Sequence, residues 1–250
     1  MSELVQSLAR GLAVIEALDT EPRRHTLSDV ARTTGLTRAA ARRFLLTLVE
    51  LGYASNDGRH FALRPKVLEF GHAYLAGLGL PKVALPHMRA LSARIGESCS
   101  LAVLDGADVV YVQRVVTERI MSAVIQVGTR LPAHVTSMGR VLLAAMDLAR
   151  LDVVLGQVVP EQLTVHTITD VGELRAELDR VRVEGVSVVD QELELGLISM
   201  AVPVTGPGGE VVAALNVPAH APGRRPTDMR RDLLPPLQQT ALAIGSELRG

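Results

Sequence analysis

The chain has 250 residues, 48% of them hydrophobic and 21% charged, with 26 Lys and Arg against 27 Asp and Glu. Apolar content at this level, with both charge signs interspersed, excludes a disordered chain, and no apolar run approaches the roughly 18 residues a membrane helix needs. One cysteine, Cys99, excludes an internal disulfide and a multi-cysteine zinc site.

In chain order, Glu3 to Leu18 reads as a helix with Val5, Leu8, Leu12, Ile15 and Leu18 on one face, weakened by Gly11. In winged modules such a first helix often joins a dimer interface. The opening stretch lacks the cationic start and cleavage site of a signal peptide, so a cytoplasmic protein is expected. After the loop Glu21-Pro22-Arg23-Arg24, Ser28 is placed to cap a short helix that Gly35 ends. Thr37 caps a second helix running to about Leu51, with Ala40, Phe44 and Leu48 as its apolar stripe. Its opposite face carries Arg38, Arg42, Arg43 and Thr47. A short helix, a glycine turn and a longer helix with a basic outer face form a helix-turn-helix, the second helix reading the major groove.

Two flanking features set this apart from an ordinary helical hairpin. Tyr53-Ala54-Ser55 and Phe61-Ala62-Leu63 are strand-like runs around Asn56-Asp57-Gly58, a hairpin signal, with Arg59 and His60 just past the tip. A hairpin directly after a reading helix is a wing. Residues 22–66 also hold nine Lys and Arg against three acids in a chain that is nearly neutral overall, a local positive footprint. The DNA-contacting set expected from this is Thr37, Arg38, Ala39, Arg42, Arg43, Thr47, Arg59, His60 and Lys66.

Pro65 starts a further helix to about Leu78, and Gly77, Gly79 and Pro81 then punctuate the chain. The expected division is a winged helix-turn-helix at 1–64, a linker helix at 65–80 and a second domain at 81–250. Composition agrees: five of the six aromatic residues fall in the first third, leaving only Tyr111 beyond it.

The second domain alternates helices and strands. Pro81 to Ile95 is helical, and Ser98 to Leu104 and Val109 to Val116 are strands around Asp105-Gly106. Met121 to Val127 reads as a third strand, Gly128 to Val135 as a loop, and Ser137 to Met146 as a helix. Asp170 begins another helix, in capping-box form with Glu173, that ends at Gly185. Strands at Val186 to Asp190, Ile198 to Thr205 and Glu210 to Val217 follow, then a terminal helix, Thr227 to Leu248, kinked at Pro235-Pro236. Hairpin-connected strands with flanking helices indicate an α+β fold built on an antiparallel sheet.

Candidate chemistry is sparse. The loop Leu131 to Thr136 enters a helix whose first turn is Ser137-Met138-Gly139. Its free N–H groups and dipole suit a carboxylate, although the residues alone favour a plain N-cap by Thr136 or Ser137. Asp190-Gln191-Glu192-Leu193-Glu194 either lines a site or is a solvated loop. The seven His fall singly, without metal-ligand spacing, so neither a metal nor a cofactor is expected. Ser137 near His134 lacks any fixed nucleophile–base arrangement. Cys99, between Ser98 and Ser100, reads as a small buried thiol, with a redox sensor as the alternative.

The chain resembles the IclR family of transcriptional regulators over essentially its full length. The resemblance is carried by Ser7 to Leu12, by the winged module through Gly52-Tyr53, and by Arg130 to His134 with Thr136 to Ala144. Asp190 to Leu197 and Ala201 to Val204 complete it. The Asp-Gln-Glu-Leu-Glu-Leu-Gly form looks most like the branch controlling aromatic-acid breakdown through protocatechuate and β-ketoadipate. The resemblance implies a GAF-like effector domain for a small organic acid, no enzymatic activity, and binding to double-stranded operator DNA as a dimer or dimer of dimers. It also implies that the effector carboxylate meets the backbone at Ser137 and Met138. Apolar walls would come from Ile120, Ala123 and Leu131, and polar groups from Asp190, Ser199 and Asn216. One departure stands out: Ile198 occupies a place where this branch usually carries arginine, which either removes an effector contact or is neutral because the side chain faces elsewhere. An enzyme with a DNA-binding appendage is the rival from another class.

Overall fold

A computed structural model describes residues 4–19, 24–117, 125–221 and 224–248. The chain divides into two compact units, Met1–Tyr74 and Leu75–Gly250.

In the first unit, α1 (Gln6–Leu18), α2 (Leu27–Thr34) and α3 (Arg38–Glu50) enclose Val14, Leu18, Val30, Leu45, Leu48 and Phe61. Gly11 of α1 lies against the Phe44 ring, so α1 turns its Gly11–Val14–Leu18 stripe inward. The residue without a side chain permits the closest approach, and Val5, Leu8 and Leu12 of the expected face are exposed instead. On α3 the buried stripe is Ala41, Leu45 and Leu48, with Ala40 and Phe44 at its margin. The cap of α2 is Thr26, not Ser28. Thr26 Oγ1 accepts from the Asp29 N–H at 3.3 Å, and the Asp29 carboxylate accepts from the Thr26 N–H at 3.0 Å, a reciprocal pair that leaves Ser28 inside the first turn. Gly35 ends α2 at φ 66°, and Thr37 Oγ1 accepts from the Ala40 N–H at 3.2 Å.

The wing pairs β2 (Ala54–Asn56) with β3 (His60–Leu63). A strand that the sequence does not announce, β1 (His25–Thr26), adds to the other edge of β3. Two residues are too few for an alternating pattern to register. A 3₁₀ turn at Pro65–Val67 and α4 (Leu68–Leu78) lead out of this unit.

The second unit is built on a six-stranded antiparallel sheet in the order β6-β5-β4-β9-β8-β7. Its strands are β4 (Cys99–Asp105), β5 (Asp108–Val115), β6 (Arg130–Pro132), β7 (Ser187–Asp190), β8 (Leu197–Thr205) and β9 (Val211–His220). On one face α5 (Leu80–Ile95), α9 (Pro226–Asp232) and α10 (Leu234–Glu247) pack Met88, Leu91 and Ile244 onto Leu101, Met200 and Leu215. On the other, α6 (Ser137–Ala144), α7 (Leu148–Leu155) and α8 (Val171–Glu184) pack Leu143, Leu151 and Leu178 onto Ala102, Ala201 and Ala214. Small residues on that sheet face let α6 approach closely.

Three expectations need correction. Of the strand read at 121–127, residues 121–124 lie outside the described residues and 125–127 are not strand; the partner of β5 is β6, inside the segment read as a loop. Helix α7 has no counterpart in the sequence reading. The terminal helix is two helices separated at Leu233, because Pro235 and Pro236 fall in the first turn of α10, where a missing N–H costs little.

Candidate effector pocket and nucleic-acid interface

With Thr37 closing its first turn, α3 presents Arg38, Ala39, Arg42, Arg43 and Thr47 on an exposed face. Neighbouring cations are neutralised: Arg32 meets Asp29 at 3.0 Å and Arg24 meets Asp57 at 3.6 Å. Among the described residues Arg38, Arg42 and Arg43 make no ion pair, so the positive charge of α3 is uncompensated. At the wing tip the Asp57 carboxylate accepts from the N–H groups of His60 at 2.7 Å and Arg59 at 3.0 Å. These backbone hydrogen bonds, from His60 first, pull its pKa down to about 2. His60 Nδ1 lies 3.4 Å from the same carboxylate, and the Arg59 side chain is exposed. Lys66 is differently placed. Its Nζ donates to the Leu51 carbonyl at 2.9 Å, at the C-terminus of α3, and lies 4.7 Å over the Tyr53 ring, which stacks on Phe70 at 5.5 Å.

In the second unit, the α6 face of the sheet leaves a cavity of about 300 Å³. Ser137 and Met138 start α6 on its wall, and both are buried. Thr136 caps the helix: its Oγ1 accepts from the Gly139 N–H at 3.0 Å and its carbonyl from the Arg140 N–H at 3.0 Å. That leaves the first two N–H groups, of Ser137 and Met138, without an internal acceptor. Gly139 is required here, because a Cβ would stand 2.1 Å from the Ala133 carbonyl oxygen. Ser199 of β8 donates to Ser137 Oγ at 3.0 Å, and Asn216 of β9, 5% exposed, has its Oδ1 buried without a partner. Leu131 of β6 supplies an apolar wall.

Asp190 is not on that wall. Alternation along β7 points Val189 into the cavity, one residue out of register with Asp190, whose carboxylate accepts from Gln191 Nε2 at 3.3 Å. Ile120 and Ala123 lie outside the described residues. Ile198 is fully buried in the core on the opposite sheet face, which resolves the departure in favour of a side chain that faces away. Sequence reasoning missed Ser100, Tyr111 and Arg114, all of which line the cavity. Burial pushes the Tyr111 hydroxyl up to about 12 and lowers the pKa of the Arg114 guanidinium. The isolated aromatic of the second domain was the one available signal, and it pointed to Tyr111.

Arg140, 1% exposed, fastens the pocket from behind. Its Nε donates to the His134 carbonyl at 2.9 Å, and its two terminal nitrogens donate to Glu192 at 2.7 and 2.5 Å. Glu192 also accepts from the Ile168 N–H at 3.1 Å, while Thr164 and Thr167 donate to the Gln191 and Glu192 carbonyls. The polar cluster at 190–194 is therefore a clamped loop that brings Leu193 and Glu194 to the cavity.

The rival chemistries find no support in this geometry. Both His134 ring nitrogens are buried without partners, so His134 does not pair with Ser137. Cys99 is fully buried, donates to the Met88 carbonyl at 3.4 Å, and burial pushes its thiol up to about 12, which makes a redox-active thiolate inaccessible.

Comparison with known proteins decides the family. The pattern of the IclR helix-turn-helix domain matches residues 7–58, and that of the bacterial transcriptional regulator IclR C-terminal domain matches residues 72–246. The chain belongs to the IclR family. It is similar to the Pca regulon regulatory protein of Pseudomonas putida, 43% identical over 249 residues, covering 99% of this chain and 86% of that one. It is also similar to the crystal structure of a candidate transcriptional regulator from Rhodococcus sp. RHA1, with a TM-score of 0.86, 53% identity and 98% of each chain covered. An IclR homologue from Microbacterium hydrocarbonoxydans, solved with 4-hydroxybenzoate, superposes with a TM-score of 0.83 at 28% identity, over 97% of this chain and 99% of that one. This IclR-family chain is thus a ligand-responsive, DNA-binding transcriptional regulator rather than an enzyme. No described helix is long and apolar enough to cross a membrane.

Proposed function

We propose that this regulator acts in the cytoplasm on genes for the breakdown of aromatic acids, binding a palindromic operator as a dimer or dimer of dimers and changing its grip when a small aromatic or organic acid enters the cavity. The carrying observation is that Asn216, whose buried Oδ1 has no partner, and the helix start at Ser137 and Met138, whose amides have no acceptor within α6, line one largely apolar cavity sized for one ring. The amides suit a carboxylate, and an orphan acceptor suits a ligand hydroxyl. The effector set is Ser137, Met138, Ser199, Asn216 and Leu131, with Val189 in place of Asp190. Similarity to a homologue holding 4-hydroxybenzoate supports an aromatic acid.

On the DNA side, Thr37, Arg38, Ala39, Arg42, Arg43 and Thr47 enter the major groove while Arg59 and His60 follow the backbone. Lys66, exposed beside them, also holds the wing against the end of α3. Two reading helices would address half-sites about 34 Å apart or a multiple of that. The test pairs calorimetry with operator binding. Titration with 4-hydroxybenzoate and 3,4-dihydroxybenzoate should give saturable binding that Asn216→Leu weakens without changing ligand-free operator affinity. Arg42→Ala should weaken operator binding by about 1–3 kcal/mol if it reads a base. Absence of binding by either acid rejects the pocket, and unchanged operator affinity in both Arg42→Ala and Arg43→Ala rejects the reading helix.

A further inference from the structure

The cavity holds a full positive charge that the helix-start reading does not use. Strand β5 carries one residue more than β4 at this point: Leu101 pairs with Gln113 but Ala102 pairs with Tyr111, so Val112 bulges from the ladder. Plain alternation from Tyr111 would send Gln113 toward the cavity and Arg114 to the other face. The bulge reverses that. Gln113 turns to α5, where its Nε2 donates to the Pro81 carbonyl at 3.4 Å; Val112 joins the core beneath α5; and Arg114 lines the cavity beside Tyr111.

Arg114 arrives there without a counter-ion. Its Nε is buried with no acceptor, and no carboxylate among the described residues pairs with it, Glu194 of the same lining included. Arg114 is half-buried, with its Nε out of solvent and unpaired; partial desolvation of a guanidinium without an anion is unfavourable, so the group is poised for one that arrives from outside. Its place is also informative. Arg114 opposes Ser100 on β4, Ser100 opposes Asn216 on β9, and Asn216 opposes Ala201 on β8, the strand that carries Ser199 to the α6 start. With strands about 4.8 Å apart, three steps separate the backbones of these two polar ends by roughly 14 Å. Side chains reaching inward narrow that to the span of one substituted ring.

We infer that Arg114 is a second anion-recognition point and a specificity-determining residue, selecting compact acids that carry an acidic group at each end. One group meets the α6 amides and the other pairs in bidentate fashion with the guanidinium. The inference rests on the cavity being the effector site.

The test uses two probes of equal size, benzene-1,4-dicarboxylate and 4-carbamoylbenzoate, which differ by one charge. They are titrated into the full-length wild type and into the Arg114→Gln, Arg114→Lys and Asn216→Leu variants. The wild type should bind the diacid at least about tenfold more tightly, the scale of one charge-assisted contact. Arg114→Gln should bring the two probes within about twofold of each other by weakening the diacid alone, and Arg114→Lys should keep part of the preference. A diacid preference that survives Arg114→Gln overturns the inference. Equal wild-type binding of both probes, weakened for both by Asn216→Leu, also overturns it but leaves the cavity reading standing. If neither probe binds the wild type while 4-hydroxybenzoate does, the inference about Arg114 fails and the cavity reading stands; if 4-hydroxybenzoate does not bind either, both fail.

Discussion

Replacing Arg140 with methionine should be among the most damaging single changes to the effector unit. The guanidinium is 1% exposed and makes three hydrogen bonds, one to the His134 carbonyl and two to Glu192. Methionine can fill much of the aliphatic volume but supplies no donor. It would leave Glu192, 7% exposed, as a buried carboxylate with the Ile168 N–H as its remaining strong donor, and the His134 carbonyl loses the guanidinium. Removing one partner of such a pair costs about 3–5 kcal/mol, mostly because the stranded charge stays buried. For a unit of this size each kcal/mol moves the melting temperature by about 2–4 °C, so the midpoint should fall by roughly 6–20 °C. The double change Arg140→Met with Glu192→Leu removes both charges and should recover most of the loss. Circular dichroism melts of the four proteins in the double-mutant cycle measure this directly. A drop below about 2 °C for Arg140→Met, or a double variant no better than the sum of the singles, would refute the reasoning.

Gly139→Ala should destabilise by at least the 1–3 kcal/mol typical of overpacking, about the same as a poor core insertion, because its Cβ would sit 2.1 Å from a backbone oxygen. Gly71→Ala meets nothing within 4 Å and should be neutral or slightly stabilising; urea denaturation of the two separates the effects. Cys99 should resist a thiol reagent at pH 8 in the native protein and react once unfolded, since burial pushes its thiol up to about 12; rapid native labelling would contradict its place in the core. Asp57, with its pKa pulled down to about 2, should stay ionised through pH 3 in a carboxyl NMR titration. Because the folded value lies below the ordinary one, its contribution to wing order is present above the usual carboxylate range near about 3.9 and is lost as pH falls toward 2. A midpoint at the ordinary value would mean the tip hydrogen bonds do not persist in solution.

Much of the fold was legible because its signals are local. Gly35, Gly96 and Gly185 all adopt positive φ where helices end, and Thr37 and Asp170 cap the helices they precede. Where two local signals competed, packing chose between them. Ser28 and Thr26 are both competent caps, but only Thr26 stands three residues before Asp29, which returns the hydrogen bond. The first helix carries two apolar stripes, and the contact of Gly11 with Phe44 selects the one that buries Val14. Elements shorter than the period that would reveal them, β1 and β6, left no trace in the sequence pattern.

The site was less legible, for a different reason. A ligand pocket is defined by polar groups that the fold leaves unsatisfied, and satisfaction depends on register across strands far apart in sequence. Val189 and Asp190 illustrate the sensitivity: both belong to a plausible polar strand end, yet alternation along β7 sends only Val189 to the cavity. Arg114 illustrates it more sharply. An arginine between Gln113 and Val115 reads as one of many surface cations, and nothing nearby in the sequence marks the one-residue insertion opposite Ala102 that turns it inward. The same insertion also explains why Tyr111 and Arg114, three residues apart, share a cavity although strand residues three apart ordinarily face opposite ways. Regular pairing of Val112, with the sequence unchanged, would return Arg114 to the α5 face. It would thereby place a guanidinium in an apolar core, so the bulge is as much a condition for stability as for recognition.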